Sequence, residues 1–127
     1  LLFLRFLNKP ALTPPSWVFG PVWTILYVLM GVALFFVWNE GWNRGGVRIA
    51  VSVFGVQLVL NTAWSLIFFG AKNPGAALIE IVLLWISILF TIILFSKISK
   101  RAGVLLVPYI VWVSFAAYLN YGIWTLN

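Results

Sequence analysis

Four long apolar runs separated by short polar turns set the pattern of this chain. The first covers about 18–37 and ends at "WNEGWNRGG"; the second covers about 47–69 and ends at "GAKNPG". The third covers 75–95 and stops at "SKISKR", and the fourth covers 103–124. Each has the length of about 20 residues needed to cross about 30 Å of hydrocarbon as a helix. Strands are excluded as isolated spans, because an open edge in lipid leaves its backbone groups unpaired. Asn73-Pro74 is a turn initiator, and Pro74 suits a first helical position. The turns are short, so successive helices are expected to be antiparallel neighbours in one bundle, with no internal repeat and no low-complexity linker.

Polar residues interrupt the apolar runs at helical spacing. Gln57, Asn61 and Ser65 recur every fourth residue on the second span, flanked by Trp64 and Phe68. The third span carries Glu80, Leu84, Ser87 and Thr91 on one face, and the fourth carries Tyr109, Trp112, Ala116 and Asn120. The first has Trp23, Tyr27 and Met30 or Gly31, continuing towards Leu34 and Trp38. These faces can all point inward around a common cavity. Two plainer roles compete. Buried amides and hydroxyls can simply join helices, at roughly 0.6 kcal/mol each, and tryptophans near span ends are usually interfacial anchors. The anchor role is expected for Trp38, Trp42 and Trp124, and a lipid-facing position for Trp85. A cavity role is expected for Trp23, Trp64 and Trp112. Glu80 is the only acid within a span; a carboxyl there is costly, which makes it either functional or a hydrogen-bonded packing group.

Composition narrows the chemistry. The chain has 127 residues, 64% apolar and 8% charged. A soluble domain carries about 25% charged residues, so this is read as an integral membrane protein of one domain. The net charge of +6 comes from eight Lys and Arg spread over short loops, a topology signal rather than a nucleic-acid footprint. Arg44, Arg48, Lys97, Lys100 and Arg101 lie on one side against Arg5, Lys9 and Lys72 on the other. The positive-inside rule puts the first group in the cytoplasm. Histidine and cysteine are both absent, which excludes disulfides, a nucleophile–histidine pair, a zinc site and a His or Cys ligand to haem iron. Two acids in the whole chain leave almost no material for hydrolytic catalysis. A cavity of indoles, phenols and carboxamides suits a flat apolar ligand with a few polar edges.

The stretch "KPALTPPSWVFGPVWTILYVLMG" puts four prolines and two tryptophans at the entry to the first span. Pro10, Pro14 and Pro15 cannot continue a helix and hold residues 9–17 extended. That loop is expected to act as a stiff lid carrying Trp17 over the cavity mouth. Residues 1–8 read as the remnant of an earlier helix.

Three stretches resemble the TspO/translocator protein family: "KPALTPPSWVFGPVWTILYVLMG", "QLVLNTAWSLIFFGAKNPG" and "LLVPYIVWVSFAAYLNYGIW". The likeness runs from about Arg5 to Asn127. It implies an all-α membrane protein, a bundle of five transmembrane helices whose first helix is largely missing here, in a family whose members are often homodimers. It also implies a pocket for porphyrins such as protoporphyrin IX and haem, and for benzodiazepine-site ligands. Matched motif by motif, the pocket residues are Trp23, Asn61, Trp64, Trp112, Ala116 and Asn120, with Tyr121 beside the last. The periodic faces add Tyr27, and the lid adds Trp17. The C-terminal sterol motif of animal members is incomplete, with Leu119 and Tyr121 present but Thr125 in place of a cation. The expected function is a porphyrin receptor or sensor in a membrane, acting in tetrapyrrole regulation or transport, with no obligatory cofactor. The alternatives are a light- and oxygen-dependent porphyrin-degrading enzyme and a small-molecule transporter.

Overall fold

A computed structural model describes residues 19–41, 45–71 and 73–126. The expected helix remnant at 1–8, the lid at 9–17 with Trp17, and the anchor Trp42 lie outside the described residues.

The described chain is all helical. Helix α1 (Phe19–Trp38) leads through a turn to α2 (Val47–Ser65), which ends in a π-helical turn (Leu66–Gly70). Helix α3 (Pro74–Ile98) returns, and a short α4 (Lys100–Leu105) leads into α5 (Val107–Leu126). Among the described residues four helical segments are long and apolar enough to cross a membrane: Gly20–Trp38, Val47–Phe68, Gly75–Ile98 and Lys100–Leu126. Helix α3 is the centre of the bundle, packed along α2 on one side and α5 on the other, while α1 leans on α4 and α2.

Local chemistry explains the joints. Gly46, which precedes α2, has φ 88° and Gly41 has φ 106°, left-handed conformations that other residues adopt at a cost. At the end of α2 the Ala71 N–H donates to the Leu66 carbonyl at 2.8 Å and the Asn73 N–H to that of Ile67 at 3.1 Å. The Asn73 side chain then caps α3, accepting from the Ala76 N–H at 3.1 Å, with Pro74 in the first turn where no donor is needed.

The fourth span is not one smooth helix. Leu106 separates α4 from α5, because Pro108 has no N–H for the Val104 carbonyl and its ring crowds that carbonyl. Ser99 caps the start of α4, its Oγ accepting from the Ala102 N–H at 3.4 Å. The α3–α4 corner is tight at Gly103, where an added Cβ would overlap Ser96 Oγ and lie 3.2 Å from Ser96 Cα.

The interior is sealed by Phe54 on α2 stacked on Phe95 of α3, with ring centroids 5.7 Å apart and 10° between planes. Leu84, Ile88, Val113 and Ile123 are among the other buried core residues. Ile25, Val59, Ile79 and Val111 are each about 60–70% exposed, a surface suited to acyl chains and not to water. Hydroxyls on the outer faces pair within their own helices, as Thr24 does with Gly20, Ser52 with Arg48 and Thr62 with Leu58.

Two expectations about faces need correction. On α1 the buried line is Leu26, Met30, Ala33 and Val37, whereas Gly31 and Trp38 are exposed. Trp85 is half-buried, and its Nε1 donates to Ser114 Oγ on α5 at 2.8 Å. An indole N–H facing hydrocarbon would have no acceptor, so the neighbouring helix supplies one.

Candidate ligand-binding site

Helices α1, α2 and α5 bring their polar faces to one interior. Tyr27 on α1 donates its hydroxyl to Asn61 Oδ1 at 2.8 Å. Asn61 Nδ2 donates to the Tyr109 hydroxyl at 2.7 Å, and that hydroxyl donates to Gln57 Oε1 at 2.7 Å. This is a directed chain across three helices: phenol, carboxamide, phenol, carboxamide. The i, i+4 spacing of Gln57 and Asn61 lets both reach the single phenol of Tyr109. One turn along, Trp64 Nε1 donates to Asn120 Oδ1 at 3.0 Å, joining α2 to α5 a second time.

Aromatic rings extend the cluster. The Trp23 ring lies 6.0 Å from Tyr27 and 6.3 Å from Trp64, and Trp64 stacks on Phe68 at 5.2 Å. Trp23, Tyr27, Asn61, Trp64 and Asn120 therefore form one connected group. Asn61, Trp64, Ala116 and Asn120 are buried, whereas Tyr27 is 44% exposed and only its hydroxyl reaches inward. Ser87 and Thr91 turn back onto their own helix, with the Leu84 and Ser87 carbonyls as acceptors. That accounts for these two as structural polar residues.

Trp112 faces a groove beside this group. It packs against Phe115 at 5.6 Å and lines this groove, of about 500 Å³, between α1 and α5. Val22, Leu26, Leu29, Pro108 and Phe115 complete most of that lining, all of it apolar. Among the described residues the polar faces thus meet in a hydrogen-bonded interior, and an aromatic-walled groove lies beside it. The physical reason is saturation: phenols and carboxamides placed within reach of one another in an apolar medium pair together. The groove volume falls within the range of about 300–1,000 Å³ typical of small-molecule sites.

Two residues of the chain, Gln57 and Tyr109, are absent from the motif-matched set although both sit on the periodic faces. The spacing marked them; the pairing that makes Tyr109 the hub is visible only in three dimensions. Tyr121, matched by motif, is exposed and its ring meets Trp124 at 6.3 Å instead of the cluster. Trp38 and Trp124 are each about half exposed near helix ends, the position of interfacial anchors. Glu80 is 8% exposed, and neither its carboxyl oxygens nor Gln57 Nε2 has a hydrogen-bond partner among the described residues. Among the described residues no group of acids could hold a metal ion.

The profile of the TspO/MBR family matches residues 3–125. The chain belongs to the TspO/MBR family. It is 52% identical over 121 residues to the Tryptophan-rich protein TspO of Chlorobaculum tepidum, covering 95% of this chain and 77% of that protein. It is 40% identical over 123 residues to the Translocator protein of Homo sapiens, covering 95% and 72%. Against the Protein CrtK of Rhodobacter capsulatus it is 35% identical over 121 residues, covering 95% and 76%. Membership of this family and the four apolar helices make the chain a multi-pass integral membrane protein.

Proposed function

We propose that this TspO/MBR family member is a membrane receptor for porphyrins and similar flat, apolar ring systems, bound in the groove between α1 and α5. The observation that carries this reading is the groove itself, about 500 Å³ walled by Trp112 and Phe115 with no polar lining. A tetrapyrrole face buries apolar area against the indole, and stacked aromatic pairs add about 0.5–1.5 kcal/mol beyond that burial. With no histidine or cysteine in the chain, neither residue ligates an iron. Metal-free porphyrin and haem would therefore be held alike, as flat hydrophobic ligands. The names Tryptophan-rich sensory protein and Translocator protein, given to relatives in Cereibacter sphaeroides and Homo sapiens, agree with a role in sensing or transfer.

Titration of protoporphyrin IX into protein held in lipid nanodiscs, followed by quenching of tryptophan fluorescence, tests the reading. Trp112→Ala should weaken binding on the order of tenfold, the loss of one stacked anchor with its buried area. Trp124→Ala, at an exposed helix end, should leave it unchanged. Equal affinity for wild type and Trp112→Ala would remove the groove as the site. Illumination of the loaded protein, with products separated by chromatography, distinguishes a receptor from a porphyrin-degrading enzyme.

A further inference from the structure

A second groove lies at the opposite side of α1 from the polar cluster, where α1 meets the short helix α4. It has a volume of about 390 Å³ and is lined by Phe36, Lys100, Arg101, Val104 and Leu105. Its two ends differ in chemistry. Phe36, Val104 and Leu105 supply apolar side chains, and the exposed Lys100 and Arg101, one turn earlier on α4, line the groove with their aliphatic stems and form its cationic rim at the helix end.

Depth in the bilayer can be read from the surrounding residues. Phe36 lies two residues before Trp38, an exposed indole at the end of α1, after which the chain turns polar at Asn39 and Glu40. Lys100 begins the last membrane-crossing segment, Lys100–Leu126. The cationic rim therefore sits at headgroup level, and the apolar floor begins where hydrocarbon begins. Arg48 in the first turn of α2 and Lys97 in the last turn of α3 lie at this same end of the bundle. Among the described residues four cations thus share one interface with Glu40.

We propose that this groove is a binding site for an anionic phospholipid, with the phosphate held by Lys100 and Arg101 and the start of an acyl chain laid along Phe36, Val104 and Leu105. Charge complementarity selects the occupant. A zwitterionic lipid carries no net charge to offset two adjacent cations, and a soluble anion has no use for an apolar floor. Arg101 offers a forked donor pair suited to phosphate oxygens, and Lys100 a mobile point charge. Each cation near an anionic surface contributes to such binding, and the effect fades beyond a Debye length. The groove makes the difference between this site and a diffuse electrostatic attraction.

Native mass spectrometry of the full chain released from nanodiscs of mixed phosphatidylglycerol and phosphatidylcholine tests the proposal. Wild type should retain one phosphatidylglycerol in preference to phosphatidylcholine. Lys100→Gln with Arg101→Gln should reduce that retention on the order of tenfold or more, the expectation for losing two cations at an anionic surface. Arg48→Gln with Lys97→Gln removes the same charge from the same interface outside the groove and should change retention by less than about twofold if the site is local. Val104→Trp keeps both charges, fills the apolar floor and should also reduce retention. Equal losses from the two charge-removing pairs would show diffuse attraction and overturn the proposal. Full competition by soluble glycerol phosphate would identify a free-phosphate site and overturn it as well, as would retention of both lipids alike by wild type. Helical content measured by circular dichroism confirms folding of each variant; should the paired variant unfold, Val104→Trp alone decides, and undiminished retention there refutes the groove.

Discussion

Replacing Tyr109 by phenylalanine removes one oxygen from the interior and leaves the ring in place. That oxygen accepts from Asn61 Nδ2 at 2.7 Å and donates to Gln57 Oε1 at 2.7 Å. Interhelical hydrogen bonds within a membrane contribute about 0.6 kcal/mol each on average and up to about 1.7 kcal/mol. Two of them give about 1.2 kcal/mol. The loss is larger than this sum because Gln57 Nε2 already has no partner among the described residues. Without the phenol its carboxamide would be buried with neither end paired by a neighbouring helix, at a cost of about 1–3 kcal/mol. The expected destabilisation is therefore about 2–3 kcal/mol, with helix content unchanged. Equilibrium unfolding in lipid–detergent micelles, driven by sodium dodecyl sulfate and read by circular dichroism, measures it. Gln57→Leu in the Tyr109→Phe background should recover most of the loss, because the buried amide then disappears with its partner. A Tyr109→Phe variant within about 0.3 kcal/mol of wild type would refute the reasoning, as would a double variant as unstable as the sum of its singles.

Two further substitutions probe the joints. Gly103→Ala forces a methyl into Ser96 and should destabilise by about 1–3 kcal/mol, the usual range for overpacking, as measured by the same unfolding titration. Asn73→Ala removes the cap on the Ala76 N–H and should cost about 1 kcal/mol; Asn73→Ser, which restores an acceptor, should recover most of it.

Much of the helical architecture was legible because a bilayer makes few demands and makes them strictly. An apolar run of sufficient length has to be a helix, and a helix repeats its faces every 3.6 residues. Gln57, Asn61, Glu80, Thr91, Tyr109 and Asn120, picked out by period alone, are all buried. The break at Leu106 was less legible. Pro108 announces it, yet apolar character continues through the break, and hydropathy does not respond to a missing N–H. The candidate site was legible as membership of a set and not as an arrangement. Period placed Trp112 and Trp23 on inward faces, but the first lines a groove and the second joins the Tyr27–Trp64 cluster.

By itself the amino-acid sequence determined the four spans found among the described residues, the inward side of α2, α3 and α5, the absence of thiol and imidazole chemistry, and the family motifs. Those properties are local, since each depends only on residues within a few turns of one another. The tertiary structure alone decided that Tyr109 is the hub between Gln57 and Asn61, and that Trp85 finds Ser114. It also decided that α1 stands off far enough from α5 to leave an open groove. These depend on the axial register and rotation of one helix against another, which packing sets to within a fraction of a helical turn. A hydrogen bond is satisfied or lost over less than an ångström, so pairing cannot be read before that register is known.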